Sequence, residues 1–274
     1  ARYTISDKLA FAENLNPQVK QLSYLLWQSR QSEKSMELMN SVDQHYRMIR
    51  QEIQSSREAS ELKNDQIRNI DGLRFYVLNK RARALLEKGR YDAAARDLNE
   101  AQQISTQVWG RGSRQYVEIL HLLMVLKLQV GKPDVVLKLW DEVQSMWQNY
   151  DYHTGADKWQ ERLVPLEKQE VVEGSGESRL AELLYILQSK YPSSTGAERI
   201  NYLRVFLKLA RGFAQIGNKA KYLECLHEAS AQALRIDDRE STAAKEFFAE
   251  LKLAKANPVA SENSVQSKTA DPHK

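Results

Sequence analysis

Little in this chain can cross-link, kink or break it. A single cysteine, Cys225, excludes an internal disulfide. Its place in KYLECLHEAS, on a helix, marks it as a buried structural thiol. Eleven Gly and six Pro among 274 residues leave few points at which a helix must stop. No apolar run approaches the ~20 residues of a membrane-spanning helix. Charge of one sign is scarce too: 40 basic against 36 acidic residues give a net +4, too small a field to direct the chain to nucleic acid or a membrane surface. The lack of disulfides slightly favours the cytoplasm and is compatible with export after signal removal. The start at Ala1 rather than Met fits a processed chain or a piece of a longer one.

The groups that chemistry needs are also missing or scattered. Gly174-Ser175-Gly176 lacks the Lys-Ser/Thr of a phosphate loop and follows no strand. The histidines, His45, His121, His153, His227 and His273, are dispersed, and Cys225 and His227 stand only two apart, on diverging helix faces. No nucleophile elbow presents a Ser or Cys to a base. Paired carboxylates such as Asp141-Glu142 fall on solvent faces. The expectation is a non-enzyme with no metal, no cofactor and no small-molecule substrate.

What remains is a pattern that occurs twice between Leu78 and Val143. Gly89 has Leu78 and Ala82 before it and Tyr91, Ala94, Leu98 and Ala101 after it. Gly131 has Leu120, Met124, Pro133, Val136, Trp140 and Val143 at the same offsets. A third copy centres on Gly217, with Phe206, Ala210, Phe213, Leu226 and Ala229 in register and Tyr222 at the small position. Small residues let paired helices approach, and glycine at each helix end adopts the left-handed conformation at no steric cost. The following stripe continues the buried face at i, i+3, i+4 spacing.

Leu78, Ala82, Gly89, Tyr91, Ala94, Leu98 and Ala101 carry a resemblance to the tetratricopeptide repeat family. The step from Gly89 to Gly131 exceeds the usual ~34 residues and is similar to the longer repeats of the kinesin light chain type, with Val108-Trp109-Gly110 as the bend. The resemblance implies an all-α, right-handed helical-repeat solenoid of antiparallel helix pairs. It also implies that groove-facing positions lie about ten and six residues before each turn glycine. These are Asn79 and Arg83, His121 and Val125, and Leu207 and Arg211, with Tyr76 and Arg204 one turn earlier. Related domains grip a peptide carboxylate with Lys and Asn at such positions. Here Asn79 matches in type and Arg83 in charge. Arg83, Arg204 and Arg211 would favour an acidic peptide, because guanidinium pairs bidentately with carboxylates.

In chain order, residues 1–15 read as weakly helical, with Leu9 and Phe11 for packing. Asn16-Pro17 reads as the start of a helix to about Ser29 carrying Leu22 and Leu25. A helix over 33–55 buries Met39, Val42, Tyr46, Ile49 and Ile53. Residues 57–69 read as a solvated helix anchored by Leu62, Ile67 and Ile70. Residues 1–70 thus form an N-terminal capping region, and 71–256 form the repeat array, with helices near 72–88, 91–108, 113–130 and 133–148. A degenerate unit occupies 149–192, with a loop over 150–155 and its second helix marked by Leu180, Leu183, Leu184 and Leu187. Thr195 to Glu198 has capping-box spacing and opens a helix to about Ile216. The helix partnering it runs over 219–236, and a final helix over 241–256 covers the open end. Residues 257–274 have nothing to bury and read as a disordered tail.

The function this organisation predicts is a protein–protein interaction scaffold or adaptor that binds a partner protein or peptide. The second reading is a sensory or regulatory module of a larger signalling or transcription-regulating protein. A nucleic-acid-binding repeat protein is disfavoured by irregular repeat lengths and nearly balanced charge.

Overall fold

The computed structural model describes residues 4–28, 31–154, 176–233, 235–236, 239 and 241–256. Among them are ten α-helices and no strand: α1 (Ile5–Gln28), α2 (Ser32–Ser55), α3 (Ser60–Glu87), α4 (Tyr91–Val108), α5 (Arg114–Gln129), α6 (Pro133–Thr154), α7 (Gly176–Lys190), α8 (Gly196–Gln215), α9 (Lys219–Ala233) and α10 (Thr242–Ala256). A short 3-10 turn, Tyr191–Ser193, follows α7. The chain divides into two units at Leu126, inside α5. In unit 1, α3 packs against α1, α2 and α4; in unit 2, α8 packs against α6, α7, α9 and α10.

The three predicted glycine turns are one structure built three times. Gly89 has φ 69°; its N–H bonds the Leu86 carbonyl at 3.0 Å and the Arg90 N–H reaches Leu85 at 2.8 Å. Gly131 has φ 71°, with the same bonds to Leu128 at 3.2 Å and from Lys132 to Lys127 at 2.8 Å. Gly217 has φ 76°, with bonds to Ala214 at 3.0 Å and from Asn218 to Phe213 at 2.8 Å. This is the Schellman closure, in which two N–H groups past the helix end satisfy its last carbonyls. It returns the chain at once, so α3 and α4, and α8 and α9, pack as antiparallel pairs. The residues in register around each turn are buried: Leu78, Ala82, Ala94, Leu98 and Ala101 in the first copy, Leu120, Met124, Val136, Trp140 and Val143 in the second. The third buries Phe206, Ala210, Phe213, Tyr222 and Ala229. There Cys225, not Leu226, takes the inward position. Tyr222 fills its predicted small position because its hydroxyl donates to the Ala254 carbonyl at 3.0 Å, tying α9 to α10.

The α2 stripe Met39, Val42, Tyr46, Ile49 and Ile53 is buried as its spacing predicts. Several boundaries differ. Pro17 does not open a helix; it lies inside α1. An interior Pro costs roughly 3 kcal/mol. Leu9, Ala12, Asn16 and Val19 form one buried stripe across it, and that continuous packing outweighs the local penalty. Phe11, Leu22 and Leu25 stand exposed instead. The predicted boundary at 70 falls within α3, a single 28-residue helix. Leu62 is exposed and Gln66 is buried in its place. Helix α6 runs on to Thr154, through most of the predicted loop. Thr195 stands at the α8 N-cap in extended conformation, yet its side chain makes no capping bond. The Glu198 carboxylate lies beside Gly131 instead of closing the box. The core of the degenerate unit, 155–175, and the tail, 257–274, lie outside the described residues.

No helix among the described residues is long and apolar enough to cross a membrane.

Candidate binding surface

Helix α3 carries Tyr76, Asn79 and Arg83, and what fixes its roll is a web of charge on its other side. Arg74, buried, reaches three helices: Nε to Asp43 of α2 at 3.2 Å, Nη1 to Asp71 of α3 at 3.4 Å, and Nη2 to Glu100 of α4. Arg81 holds Asp97 of α4 through two bonds, Nε at 2.7 Å and Nη2 at 2.8 Å, and touches Asp43 at 3.4 Å. Arg47 bridges Asp43 and Glu100 at 3.1 and 2.6 Å, and Arg50 takes Asp71 at 2.8 Å. Four guanidiniums, Arg47, Arg50, Arg74 and Arg81, thus face four carboxylates, Asp43, Asp71, Asp97 and Glu100. Burial works against the charge on Arg81, but Asp97 and Asp43 outweigh it and hold the guanidinium above its ordinary pKa. Burial opposes the charge on Arg47 in the same way, and Asp43 and Glu100 raise it. Most members keep a second partner if one is lost; the exception is the buried Asp97, which among the described residues only Arg81 holds, and stranding it would cost about 3–5 kcal/mol.

At about 100° per residue, Tyr76, Asn79 and Arg83 lie on the side of α3 away from Arg74. Tyr76 is half-buried, its ring edge-on to Phe75 and Trp109 at centroid distances of 5.5 and 6.4 Å. Trp109 lies against Gly72 of α3, where an added Cβ would meet the indole at 3.5 Å, ordinary contact distance. Asn79 is buried and donates from Nδ2 to Glu118 of α5 at 2.7 Å. Arg83 is half-buried. His121 and Val125 of α5 are buried. These five belong to unit 1, and α3 brings Tyr76, Asn79 and Arg83 onto one face.

The other three predicted residues lie on α8 in unit 2. Arg204 is engaged by α10, with Nη1 on Glu246 at 2.7 Å and Nη2 on Glu250 at 2.9 Å. Leu207 is buried at 1% exposure. Arg211 is half-buried, and among the described residues no ion pair holds it. Four of the eight, Asn79, His121, Val125 and Leu207, therefore offer almost no surface; Asn79 shares its face with Tyr76 and Arg83 but is covered where Glu118 of α5 accepts its bond. Reasoning from the repeat missed Trp109, Glu118 and the eight charged side chains of the web. Trp109 had a signal, an aromatic in the bend. The web had one only in hindsight, since Asp43, Asp71 and Arg74 adjoin the buried Val42, Ile70 and Phe75.

No family model matches the chain, and no curated protein matches it. Among solved structures, BtubC (BKLC) from P. vanneervenii is similar, with 15% identity over 88% of this chain and 95% of that chain, at a TM-score of 0.31. At that score the repeat assignment rests on the three turns themselves.

Proposed function

We propose that this chain is a non-catalytic scaffold of the longer-repeat tetratricopeptide kind, binding a partner protein or peptide through the exposed sides of its helix pairs. The observation that carries this reading is the threefold recurrence of one helix–turn–helix closure at Gly89, Gly131 and Gly217. A helix pair cannot bury both faces alone; stacking pairs buries one side of each and leaves the rest as an extended surface. In unit 1 Tyr76 and Arg83 set an aromatic edge beside a cationic head, and in unit 2, taken by itself, Arg211 offers a second cationic head. That combination suits an acidic partner. Arg204 is held by Glu246 and Glu250 of α10.

The test is affinity capture from native lysate with the whole chain beside Arg83→Glu and Arg211→Glu, each at low and high salt. A partner retained by the wild type and lost from either variant supports the reading. Partners held equally by all three overturn the assigned surface. Nucleic acid that co-purifies with every form and leaves at high salt replaces the scaffold with the repeat nucleic-acid binder.

A further inference from the structure

Unit 2 contains a cavity of about 370 Å³ where the 3-10 turn meets α8 and the end of α9. Its wall includes Tyr191, which is 4% exposed and lies edge-on to Phe206 at 5.9 Å. The Arg199 guanidinium stands over the Tyr191 ring at 5.4 Å. Two donors here have no acceptor among the described residues: the Tyr191 hydroxyl and Arg199 Nε. Buried polar atoms are almost always paired, so two unpaired donors on residues that line one cavity are what a ligand would complete once it displaces the side chains over them.

The chemistry of the remaining wall narrows the ligand. Arg235 also lines the cavity and donates from Nη1 to Gln232 at 3.4 Å, while Gln232 donates from Nε2 to Glu228 at 3.0 Å. Arg199 and Arg235 against Glu228 leave one net positive charge. That balance suits a singly charged anion and disfavours a dianionic phosphate, which Glu228 would repel. Burial first, with Glu228 adding to it, raises the Tyr191 pKa against the pull of Arg199 and Arg235. The phenol is thus a donor and not a competing anion at neutral pH. The Tyr191 and Phe206 rings offer an apolar wall to the rest of the molecule, and the volume falls within the range of small-molecule sites.

We propose that this cavity binds a monocarboxylate with an apolar or aromatic body, its carboxylate accepting from Arg199 Nε and the Tyr191 hydroxyl. The carboxylate belongs either to a free small acid or to a peptide C-terminus. This goes beyond the scaffold reading and stands on different residues.

Titration calorimetry on the whole chain tests it with phenylacetate, phenylacetamide and inorganic phosphate. Alanyl-phenylalanine with a free or an amidated C-terminus forms the second arm. Phenylacetate should bind, with the amide and phosphate at least tenfold weaker. Arg199→Gln should weaken it tenfold or more, and Tyr191→Phe several-fold. Tighter binding by the free-acid dipeptide than by phenylacetate identifies a peptide end as the source; the reverse identifies a free acid. Failure of both carboxylates to bind, or binding indifferent to both substitutions, overturns the site. The ligand-free melting temperature gives a second check that does not depend on the probes. Tyr191→Phe should leave it unchanged or higher, since the hydroxyl has no partner to lose, and a marked drop would show a structural role and remove the proposal.

Discussion

Helices α3 and α8 occupy the same position in their units, each the central helix on which the others pack, and both bury apolar side chains, but only α3 buries charge among them. Among the buried residues of α3 are Gln66, Asp71, Arg74 and Asn79. Those of α8 are Ile200, Tyr202, Leu203, Val205, Phe206, Leu207, Leu209, Ala210, Gly212 and Phe213, with no charged side chain. Unit 1 adds to its apolar contacts, among them Phe75, Leu78, Ala82 and Leu85, directional bonds from guanidinium to carboxylate, which fix the roll of each helix but add little attraction beyond their own desolvation. Unit 2 is joined by apolar area, which is non-directional and leaves shape to set the angle. The same turn at Gly89 and Gly217 precedes both. The closure therefore does not dictate how the helices it returns are glued.

The largest effects should come from removing the central side chain of each unit. Arg74→Ala removes the buried guanidinium shared by Asp43, Asp71 and Glu100, which keep Arg47, Arg50 and Arg81, and should cost about 2–4 kcal/mol in lost buried bonds and packing. Phe213→Ala opens a cavity in a fully buried site and should cost a similar ~3–5 kcal/mol. Urea unfolding measures both. The comparison breaks if Arg74→Ala costs under ~1 kcal/mol, since the web would then be a surface feature. Gly212 sharpens it. A Cβ there would lie 3.1 Å from both the Leu180 and Trp140 side chains, so these two buried side chains would have to give way by a few tenths of an ångström. Gly212→Ala should therefore cost about 1–3 kcal/mol by overpacking, whatever it gains in helix propensity.

Alkali separates the units in another way. Burial pushes the Cys225 thiol in unit 2 from 9.0 to about 12, and the Tyr46 hydroxyl in unit 1 from 10.0 to about 12. A raised folded pKa means that the unfolded chain releases its proton first. The stabilising contribution is whole below the unfolded value and is lost as pH climbs towards the folded one. Unit 2 should weaken from about pH 9 and unit 1 from about pH 10, each by at most about 1.4 kcal/mol per pH unit. Thiol labelling of Cys225 reports the first; it should be negligible at pH 8 and rise steeply between pH 9 and 11. Rapid labelling at pH 8 would show that the thiol is not enclosed.

The turns were legible in sequence because left-handed backbone leaves a residue signature: glycine. Gly89→Ala should cost about 1–2 kcal/mol from conformation alone, since a Cβ there meets nothing nearer than the Tyr91 hydroxyl at 4.0 Å. The α2 stripe was legible because burial repeats at helical spacing. The web was not, because a charge at a core position reads as solvent-facing until its partner is placed beside it. Arg74 and Asp43 are 31 residues apart, and Arg81 and Asp43 are 38 apart. The Tyr191 cavity was hidden for a related reason, since its wall comes from four elements, α7, the 3-10 turn, α8 and α9, that no period connects. The helical path through Pro17 was misread because a local rule was applied where tertiary burial decided.

Gly72 offers the smallest effect and the opposite sign to Gly212. Both are helix-interior glycines against a tryptophan, Trp109 for Gly72 and Trp140 for Gly212. At Gly72 the nearest atoms to an added Cβ are indole carbons at 3.5 and 3.7 Å, ordinary van der Waals contact. Gly72→Ala should thus keep the ring in place and gain about 0.5–1 kcal/mol from helix propensity and a less flexible unfolded chain. Gly72→Leu has no such room and should displace Trp109, releasing the edge-on contact with Tyr76. Tryptophan fluorescence then distinguishes the two substitutions, with an unshifted spectrum for alanine and a red shift for leucine. If alanine destabilises as Gly212→Ala does, Trp109 packs on α3 more tightly than a methyl group allows, and the two units are alike in this respect.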